Sequence, residues 1–238
     1  MIKVPHHYFI FNGRCSLDFG VKISGNGTFS APERDVTKME IPGRNGNLHI
    51  DNGRFKNRSV VFDAYLTEDF ENNIDVFRNF MLNSRGYLPL ENSYHPDEYL
   101  LASYIGPFEP DVHAVSSGSF KLEFDCKPQR FLKSGTHAEV ISSGDTIYNP
   151  THFDACPLIR IYGNGTLTIG TQTVTVTGNT NAYVDVDSEI MDCFYGSTNL
   201  NSKVIFSGHE FPVLKEGPNM ITFTDISSVV ITPRWWKL

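Results

Sequence analysis

The chain has 238 residues, of which 40% are apolar and 13% aromatic, and its formal net charge at pH 7 is −7. This apolar content is too high for a disordered chain and too scattered for a membrane span. No run of Lys or Arg reaches four residues, so the basic surface typical of nucleic-acid-binding proteins is missing. The totals indicate a soluble globular protein of one large all-β domain or two domains of ordinary size.

The N-terminal sequence MIKVPHHYFIFNG has an apolar stretch too short for a signal peptide, and no small-residue cleavage site follows it. We therefore expect synthesis in the cytoplasm without a signal peptide. The adjacent His6 and His7 point to opposite faces of a strand, so they cannot readily chelate one metal ion together. We interpret them as terminal, solvated or interface histidines.

The four cysteines lie far apart and include no C-x-x-C pair. This spacing argues against a zinc knuckle and against a disulfide-dense scaffold. We expect free and mostly buried thiols at Cys15, Cys126, Cys156 and Cys193.

Most of the chain alternates apolar and polar residues with a period of two, which is typical of antiparallel strands with one buried face. The alternating segments are short, rich in β-branched and aromatic residues, and bounded by turn residues. They are 60–66, 100–106, 120–126, 158–163, 173–178, 183–187, 203–206 and 220–224. Asn-Gly pairs predict hairpin loops at 12–13, 26–27, 45–46, 52–53 and 164–165.

The loop sequence IPGRNGNLHI (41–50) follows a long polar segment. Pro42 and Gly43 break the strand and lift Arg44 onto the loop. One interpretation is an ordinary mobile hairpin. The other is an arm, around residues 24–50, that becomes ordered only against a neighbouring subunit. The candidate contact residues of this arm are Glu33, Arg34, Pro42, Arg44 and Asn45.

In one segment of the chain, the apolar residues are spaced with the period of an α-helix. Phe70, Ile74, Phe77 and Met81 share one stripe, which predicts an amphipathic helix over about 69–83. Thr67 or Asp69 can cap its start. A lone helix among strands is most simply a cover over one end of a sheet.

A domain boundary is predicted near residues 127–137, where a strand is expected to end at Pro128 and a polar, Gly-containing stretch follows. Only strands and turns are predicted after it, over about 100 residues, the size of one small sandwich. We predict two domains, 1–130 with the helix and 131–238 without one. The fold class is mainly β.

Asp185, Asp187 and Glu189 stand at alternate positions, as the ligands of a calcium loop do. The stretch lacks the glycine that such a loop needs, and valines interleave with the carboxylates. We interpret it as a solvated strand face. A glycosidase acid/base pair is disfavoured because nothing in the sequence places a substrate between the carboxylates. No P-loop, Rossmann, G-x-S-x-G or H-E-x-x-H motif occurs, and we predict no catalytic residue, metal or cofactor.

Both tryptophans of the chain stand in the C-terminal ITPRWWKL. On a strand, Trp235 and Trp236 face opposite sides, so one sandwich core can bury only one of them. We predict a structural anchor, with one ring in the core and the other packed on a loop or on the N-terminal domain, and with Arg234 stacked nearby. The alternative is a platform that binds sugars.

Eight stretches, in order along nearly the whole chain, resemble the distal tail protein (Dit) family of long-tailed siphophages and prophages, mainly from Gram-positive hosts. They are FIFNGRCSLDFG, IPGRNGNL, the helix with GYLPLENSYHPDEYLLASYIG, FDCKPQRF, NPTHFDACPLIRIYGNG, YVDVDSE, FPVLKEGPNMITF and ITPRWWKL. The long insertions that make some members carbohydrate-binding variants are missing.

The resemblance implies an N-terminal β-sandwich with one helix, which builds a ring, and a C-terminal galectin-like β-sandwich, which projects outward. Such proteins form a homohexameric ring at the virion tail tip. The ring meets the tail tube protein and holds the tail-associated hub protein and often the host-binding machinery with its receptor-binding protein. The arm around residues 24–50 is then a belt on the adjacent subunit.

Phage DNA would pass through such a ring without specific binding, and the negative charge of the chain suits that role. The resemblance implies neither an enzyme nor insertion into a membrane. The alternative function is a carbohydrate-binding module that adheres to host cell-wall saccharides through the C-terminal sandwich. A glycosidase ranks third.

Overall fold

The structure is a computed structural model that describes residues 6–25, 30–67, 69–114 and 116–238. The chain divides into two compact units, Met1–Arg130 with Leu238 and Phe131–Lys237, named here the N-terminal and the C-terminal unit. Antiparallel strands form most of both units, and the described residues contain one α-helix. The prediction of a mainly β protein with one helix is confirmed.

The N-terminal unit consists of one large curled sheet, a separate hairpin and the helix. Its elements are β1 (Phe9–Phe11), β2 (Arg14–Cys15), a 3₁₀ turn (Ser16–Phe19), β3 (Val21–Ser24), β4 (Arg34–Glu40), β5 (Asn47–Phe55), β6 (Arg58–Leu66), α1 (Phe70–Asn83), β7 (Leu88–Asn92), β8 (His95–Tyr104), β9 (Asp111–Ala114) and β10 (Ser117–Leu132). The sheet order is β2-β1-β7-β8-β10-β6-β3, and β9 also pairs with β10. The last two residues of β10 belong to the C-terminal unit.

Alternation along β6 places every second side chain in the core of the N-terminal unit. The core is rich in phenylalanine, and the Phe124 ring packs edge-on against Phe9 and Phe11, with ring centroids 5.8 and 5.2 Å apart. Burying one such side chain stabilises the fold by about 1.5–3 kcal/mol.

The helix covers this core with the stripe that the spacing predicts. Phe70, Ile74, Phe77 and Met81 are buried, Phe80 packs partly buried beside them, and most of the remaining side chains face solvent. Asp69 occupies the N-cap position, but its carboxylate accepts a hydrogen bond from the Asn72 side chain (2.7 Å) and none from the backbone of the first turn. The helix therefore depends on packing for its stability rather than on its cap.

The C-terminal unit is a second curled antiparallel sheet. Its strands are β11 (Glu139–Ile141), β12 (Thr146–Asn149), β13 (Leu158–Ile169), β14 (Gln172–Val176), β15 (Val184–Asp187), β16 (Asp192–Tyr195), β17 (Thr198–Asn199), β18 (Val204–Phe206) and β19 (Gly217–Thr232). The short strand β20 (Trp236–Lys237) belongs to the same unit but not to this sheet. Short 3₁₀ turns span Lys133–Thr136, Asn201–Lys203 and Ser207–His209. The order is β11-β19-β13-β15-β16-β17, with β12 paired to β19, and β14 paired to β13 and β18.

Two of the Asn-Gly pairs are bulges inside strands and not hairpin loops. Asn164-Gly165 lies within β13, where the register against β19 shifts. A Cβ on Gly165 would lie 2.2 Å from the carbonyl oxygen of Thr224, so only glycine permits this close approach. Asn52-Gly53 likewise lies within β5. Asn-Gly supplies positive φ, which a bulge uses as readily as a turn does.

The expected strand end at Pro128 is also wrong, because β10 continues to Leu132. The partner strand β6 begins at Arg58, opposite Cys126. Beyond that point no β6 carbonyl requires a donor from β10, so a residue without an N–H is tolerated there.

Candidate functional site

The β4–β5 hairpin is the most exposed element of secondary structure in the N-terminal unit. Its two strands form a sheet of their own, and neither strand pairs with a nine-stranded sheet. Met39 lies opposite Leu48, and Thr37 lies opposite Ile50. Side chains at paired positions point to the same side of a ribbon, and this register therefore separates the hairpin into two faces.

One face of the hairpin is apolar although it lies in solvent. Its large side chains remain 54% (Met39), 36% (Ile41), 44% (Leu48) and 44% (Ile50) exposed. Lys38, Glu40, Asn47 and His49 lie on the other face, which is polar. An amphipathic ribbon that covers no core of its own is typical of a surface that binds another protein.

Ion pairs join the two strands near the root of the hairpin. Arg34 pairs with Asp51 (3.1 Å) and lies over the Phe55 ring (4.8 Å). Arg54 donates to Asp35 (2.7 Å), and this hydrogen bond holds the pKa of Asp35 below its ordinary value. The charged side chains nearer the tip differ from those at the root, because they are not paired. Lys38, Glu40 and Arg44 make no ion pair with another described residue. They remain available to a partner.

The predicted contact residues fall at both ends of the hairpin. Glu33 pairs with Lys56 at the root (3.3 Å), next to Arg34. Pro42 and Gly43 form the turn at the tip, which the Arg44 amide closes by donating to the Ile41 carbonyl (3.1 Å). Asn45 follows this turn and is exposed. The structure thus places all five residues on the β4–β5 hairpin or directly next to it.

Sequence analysis missed the apolar face, because the segment before residue 41 was interpreted as polar with little to bury. The signal was present: Met39 and Ile41 alternate with polar residues, as do Leu48 and Ile50. The Asn26-Gly27 turn and residues 26–29 of the predicted arm lie outside the described residues.

The described residues contain no group of three or more His, Cys, Asp or Glu side chains arranged to hold a metal ion. His6 and His7 are both exposed, and the His7 ring stacks on Tyr94 with ring centroids 4.2 Å apart. No helix in the described part of the chain is long and apolar enough to cross a membrane.

The C-terminal tryptophans are both engaged within the C-terminal unit. Trp235 is buried in its core, and its backbone carbonyl accepts a hydrogen bond from the Leu132 amide (2.8 Å). Trp236 stacks on Phe153, with ring centroids 4.5 Å apart, and its Nε1–H donates to the Asp154 carbonyl (3.0 Å). Each ring therefore has a packing partner within the C-terminal unit, as the prediction of a structural anchor expects.

The interpretation of Asp185 and Asp187 as a solvated face is wrong, because both carboxylates are buried under arginines. Arg160 donates twice to Asp185 (2.8 and 2.9 Å) and lies over the Tyr183 ring (4.0 Å). Arg234 donates twice to Asp187 (2.6 and 2.8 Å). A buried carboxylate requires such a partner, and the sequence pattern alone does not identify it.

Comparison with solved structures finds the same fold over the whole chain. The SPP1 Dit (gp 19.1) protein, whose crystal structure is described as a paradigm of the hub adsorption apparatus in phages that infect Gram-positive hosts, superposes with a TM-score of 0.74. The match covers 98% of this chain and 100% of that one, at 15% sequence identity. No protein-family model matches the sequence, and no curated protein does. The resemblance seen in the sequence is therefore confirmed for the fold.

Proposed function

We propose that this chain is a structural protein of a phage tail tip. Six copies form a ring that joins the tail tube to the tail-associated hub protein and the host-adsorption apparatus, and the chain has no catalytic role. The observation that carries the proposal is the match in fold to SPP1 Dit, which includes both units.

In this proposal the N-terminal unit builds the ring, and the C-terminal unit, taken as galectin-like, projects outward. A closed ring uses the same head-to-tail contact between every pair of neighbours. The β4–β5 hairpin fits that contact, because its apolar face stays exposed to solvent among the residues that the structure describes. Burying a half-exposed Met or Leu there contributes about 1 kcal/mol.

The hairpin alone does not make the whole interface. A stable contact buries about 800 Å² on each partner, which is more than four half-exposed side chains supply. The hairpin therefore supplies the apolar centre of a contact that other polar surfaces of the N-terminal unit complete. This division agrees with the ordinary anatomy of protein interfaces, in which an apolar core is surrounded by a polar rim.

The charge of the chain is compatible with a ring through which DNA passes. The whole chain has a net charge of −7. In addition, the N-terminal unit has an open groove lined by four acidic side chains and one basic side chain. The acidic residues are Asp63, Glu109, Asp111 and Glu123, and the basic residue is Lys121. Negative surface repels DNA and keeps it from binding during passage. A channel wall rich in Lys and Arg would count against this part of the proposal.

The mass of the purified chain in solution tests the proposal. Light scattering across a concentration series should find a species of six times the 26.8 kDa chain mass, either alone or after the tail tube or hub protein is added. A strict monomer under all of these conditions would contradict it.

Saccharide binding by the C-terminal unit is the alternative function. The observation that favours it is a cluster of Arg160, Tyr162 and Tyr183. The Arg160 guanidinium lies over the Tyr183 ring, and the Tyr162 ring packs beside Tyr183. An array of cell-wall glycans distinguishes the two functions. Binding that is lost in a Tyr183→Ala variant would support the alternative.

A further inference from the structure

Two buried arginines lie at the root of the β4–β5 hairpin. Arg58 is the first residue of β6, and Arg130 lies in β10. Only 7% and 8% of their surfaces are exposed. Arginine is rarely buried to this degree unless its guanidinium has a defined partner.

Both guanidinium groups converge on one backbone oxygen. Arg58 Nη1 donates to the Ser30 carbonyl (2.7 Å), and Arg130 Nη2 donates to the same carbonyl (3.4 Å). Glu98 on β8 supplies a carboxylate 3.8 Å from Arg130 Nη1. The group thus places two cations and one anion around a single carbonyl of the chain that leads into β4.

Arg58 connects the sheet to both chain segments that flank the hairpin, the one before β4 and the one after β5. After the hairpin, only Lys56 and Asn57 separate the end of β5 from Arg58. Before the hairpin, Arg58 donates a hydrogen bond to the carbonyl of Ser30, which lies four residues before β4 begins. The Lys56 amide then donates to the Glu33 carbonyl (2.8 Å), which closes the ribbon above this point.

Burying these two arginines costs free energy of desolvation, so a contribution to stability does not by itself explain them. Burial, together with the adjacent positive charge of Arg130, lowers the pKa of the Arg58 guanidinium, and its Nε–H has no hydrogen-bond partner among the described residues. An apolar side chain of similar size would fill the same space without the desolvation cost. What the arginines add is a fixed position for a backbone segment, since guanidinium hydrogen bonds are directional.

We propose that Arg58 and Arg130 are a latch that sets the direction of the β4–β5 hairpin before a second copy of the chain binds it. The inference rests on the proposed function, in which the hairpin is the contact between subunits. A hairpin with a fixed root loses less conformational entropy on docking than one that swings freely. The two arginines are therefore positioning residues for assembly, although neither lies on the hairpin's apolar face.

The test measures hairpin direction and assembly separately, in Arg58→Met and Arg130→Met variants. Direction is measured on unassembled protein by the distribution of distances between spin labels at Asn45→Cys, on the hairpin tip, and Glu71→Cys, on α1, in a Cys15→Ser/Cys156→Ser background. Assembly is measured by light scattering on unlabelled protein. Removing either latch arginine should broaden the distance distribution and raise the concentration needed for assembly about tenfold.

Two controls separate the latch from a general effect on stability. Val60→Ala removes buried volume from β6 two residues away and should lower the melting temperature without broadening the distances. Arg78→Met removes an exposed arginine whose ion pair lies within α1 (3.0 Å) and should change neither readout. If the Met variants do not fold, Arg58→Lys and Arg130→Lys keep the charge but lose the planar donor geometry, and should broaden the distances to a smaller degree.

The possible outcomes distinguish the latch from the proposed function. Unchanged distance distributions in folded Arg58 and Arg130 variants would overturn the latch, whatever the assembly state. Broadened distances in a chain that never forms rings, wild type included, would support the latch and contradict the proposed ring. Broadened distances with undiminished assembly would overturn the claim that hairpin direction matters for assembly.

Discussion

Met39 and Leu48 lie directly opposite each other on the β4–β5 hairpin, and both side chains remain about half exposed. In a sandwich, a cross-strand pair of this kind would face the core. Here the pair stays exposed to solvent, and in the described part of the chain the ribbon pairs with neither of the large sheets. We therefore expect the pair to be covered by another protein chain, and the proposed ring makes that chain a second copy.

Replacing Leu48 with aspartate should prevent assembly without unfolding the subunit. The carboxylate would have to be desolvated in the interface, and the lost apolar contact adds to that cost, so the assembly concentration should rise more than about tenfold. Light scattering measures the assembly, and thermal unfolding of the dilute protein measures the fold. Val76→Asp, which changes an apolar residue on α1 that is also about half exposed, is the matched control. Equal losses of assembly in the two variants would contradict a specific role of the hairpin.

The two tryptophans should differ in their contributions to stability. Trp235→Ala removes a large core side chain and should cost about 3–5 kcal/mol. Trp236→Phe keeps a ring beside Phe153 but loses the hydrogen bond to Asp154, and should cost about 1 kcal/mol. Urea unfolding followed by circular dichroism measures both. Normal stability in either variant, together with lost glycan binding, would instead identify a sugar platform.

The stability of the C-terminal unit should fall in acid because of Asp187. Burial opposes ionisation of this carboxyl, but the paired Arg234 and backbone donors outweigh burial, so its pKa lies below the ordinary value. A group whose pKa is depressed by folding stabilises the fold above its unfolded pKa of about 3.9, and this stability is lost as pH falls through the folded pKa.

Asp187→Asn should therefore lower stability at neutral pH and reduce the further loss below about pH 4. Urea unfolding of wild type and variant at a series of pH values measures the difference. The exposed Asp75, whose ion pair with Arg78 lies within α1, provides an Asp75→Asn control. An identical pH dependence in wild type and Asp187→Asn would rule out a contribution from this pair.

The four thiols should react at different rates. Cys126 and Cys193 are buried, and burial raises the pKa of both thiols to about 12. Cys15 and Cys156 are only partly buried, and burial also raises the pKa of Cys156, so Cys15 should react fastest of all. Because the thiolate is the reactive form, alkylation near pH 8 should modify the partly buried pair first and the buried pair only after unfolding. Mass spectrometry of the alkylated peptides measures the order, and early modification of Cys126 or Cys193 would contradict the core packing described here.

Local patterns were sufficient to predict the helix with its buried face and several of the strands. The stripe on α1 is an example, because Phe70 to Met81 are near one another in sequence and their spacing alone determines which side is buried. Asn-Gly pairs were less informative. Positive φ is needed both by a hairpin loop, as at Asn12-Gly13, and by a bulge, as at Asn164-Gly165, and only the strand partner distinguishes the two.

Contacts between distant residues could not be predicted from the sequence. Asp187 is paired with a residue 47 positions away, and Arg130 reaches a carbonyl 100 positions away. Nothing in the spacing of either residue identifies its partner. The hairpin was interpreted either as an ordinary mobile hairpin or as an arm ordered against a neighbouring subunit, and its apolar face emerges only from the register that puts Met39 opposite Leu48.

Electron cryomicroscopy of the assembled protein tests the central claim most directly. The account predicts a ring of six subunits in which residues 34–55 of each subunit lie against the N-terminal unit of the next, with Met39, Ile41, Leu48 and Ile50 buried at the contact. A ring in which this hairpin points into solvent, or particles with no ring in the presence of the tail tube and hub proteins, would contradict it.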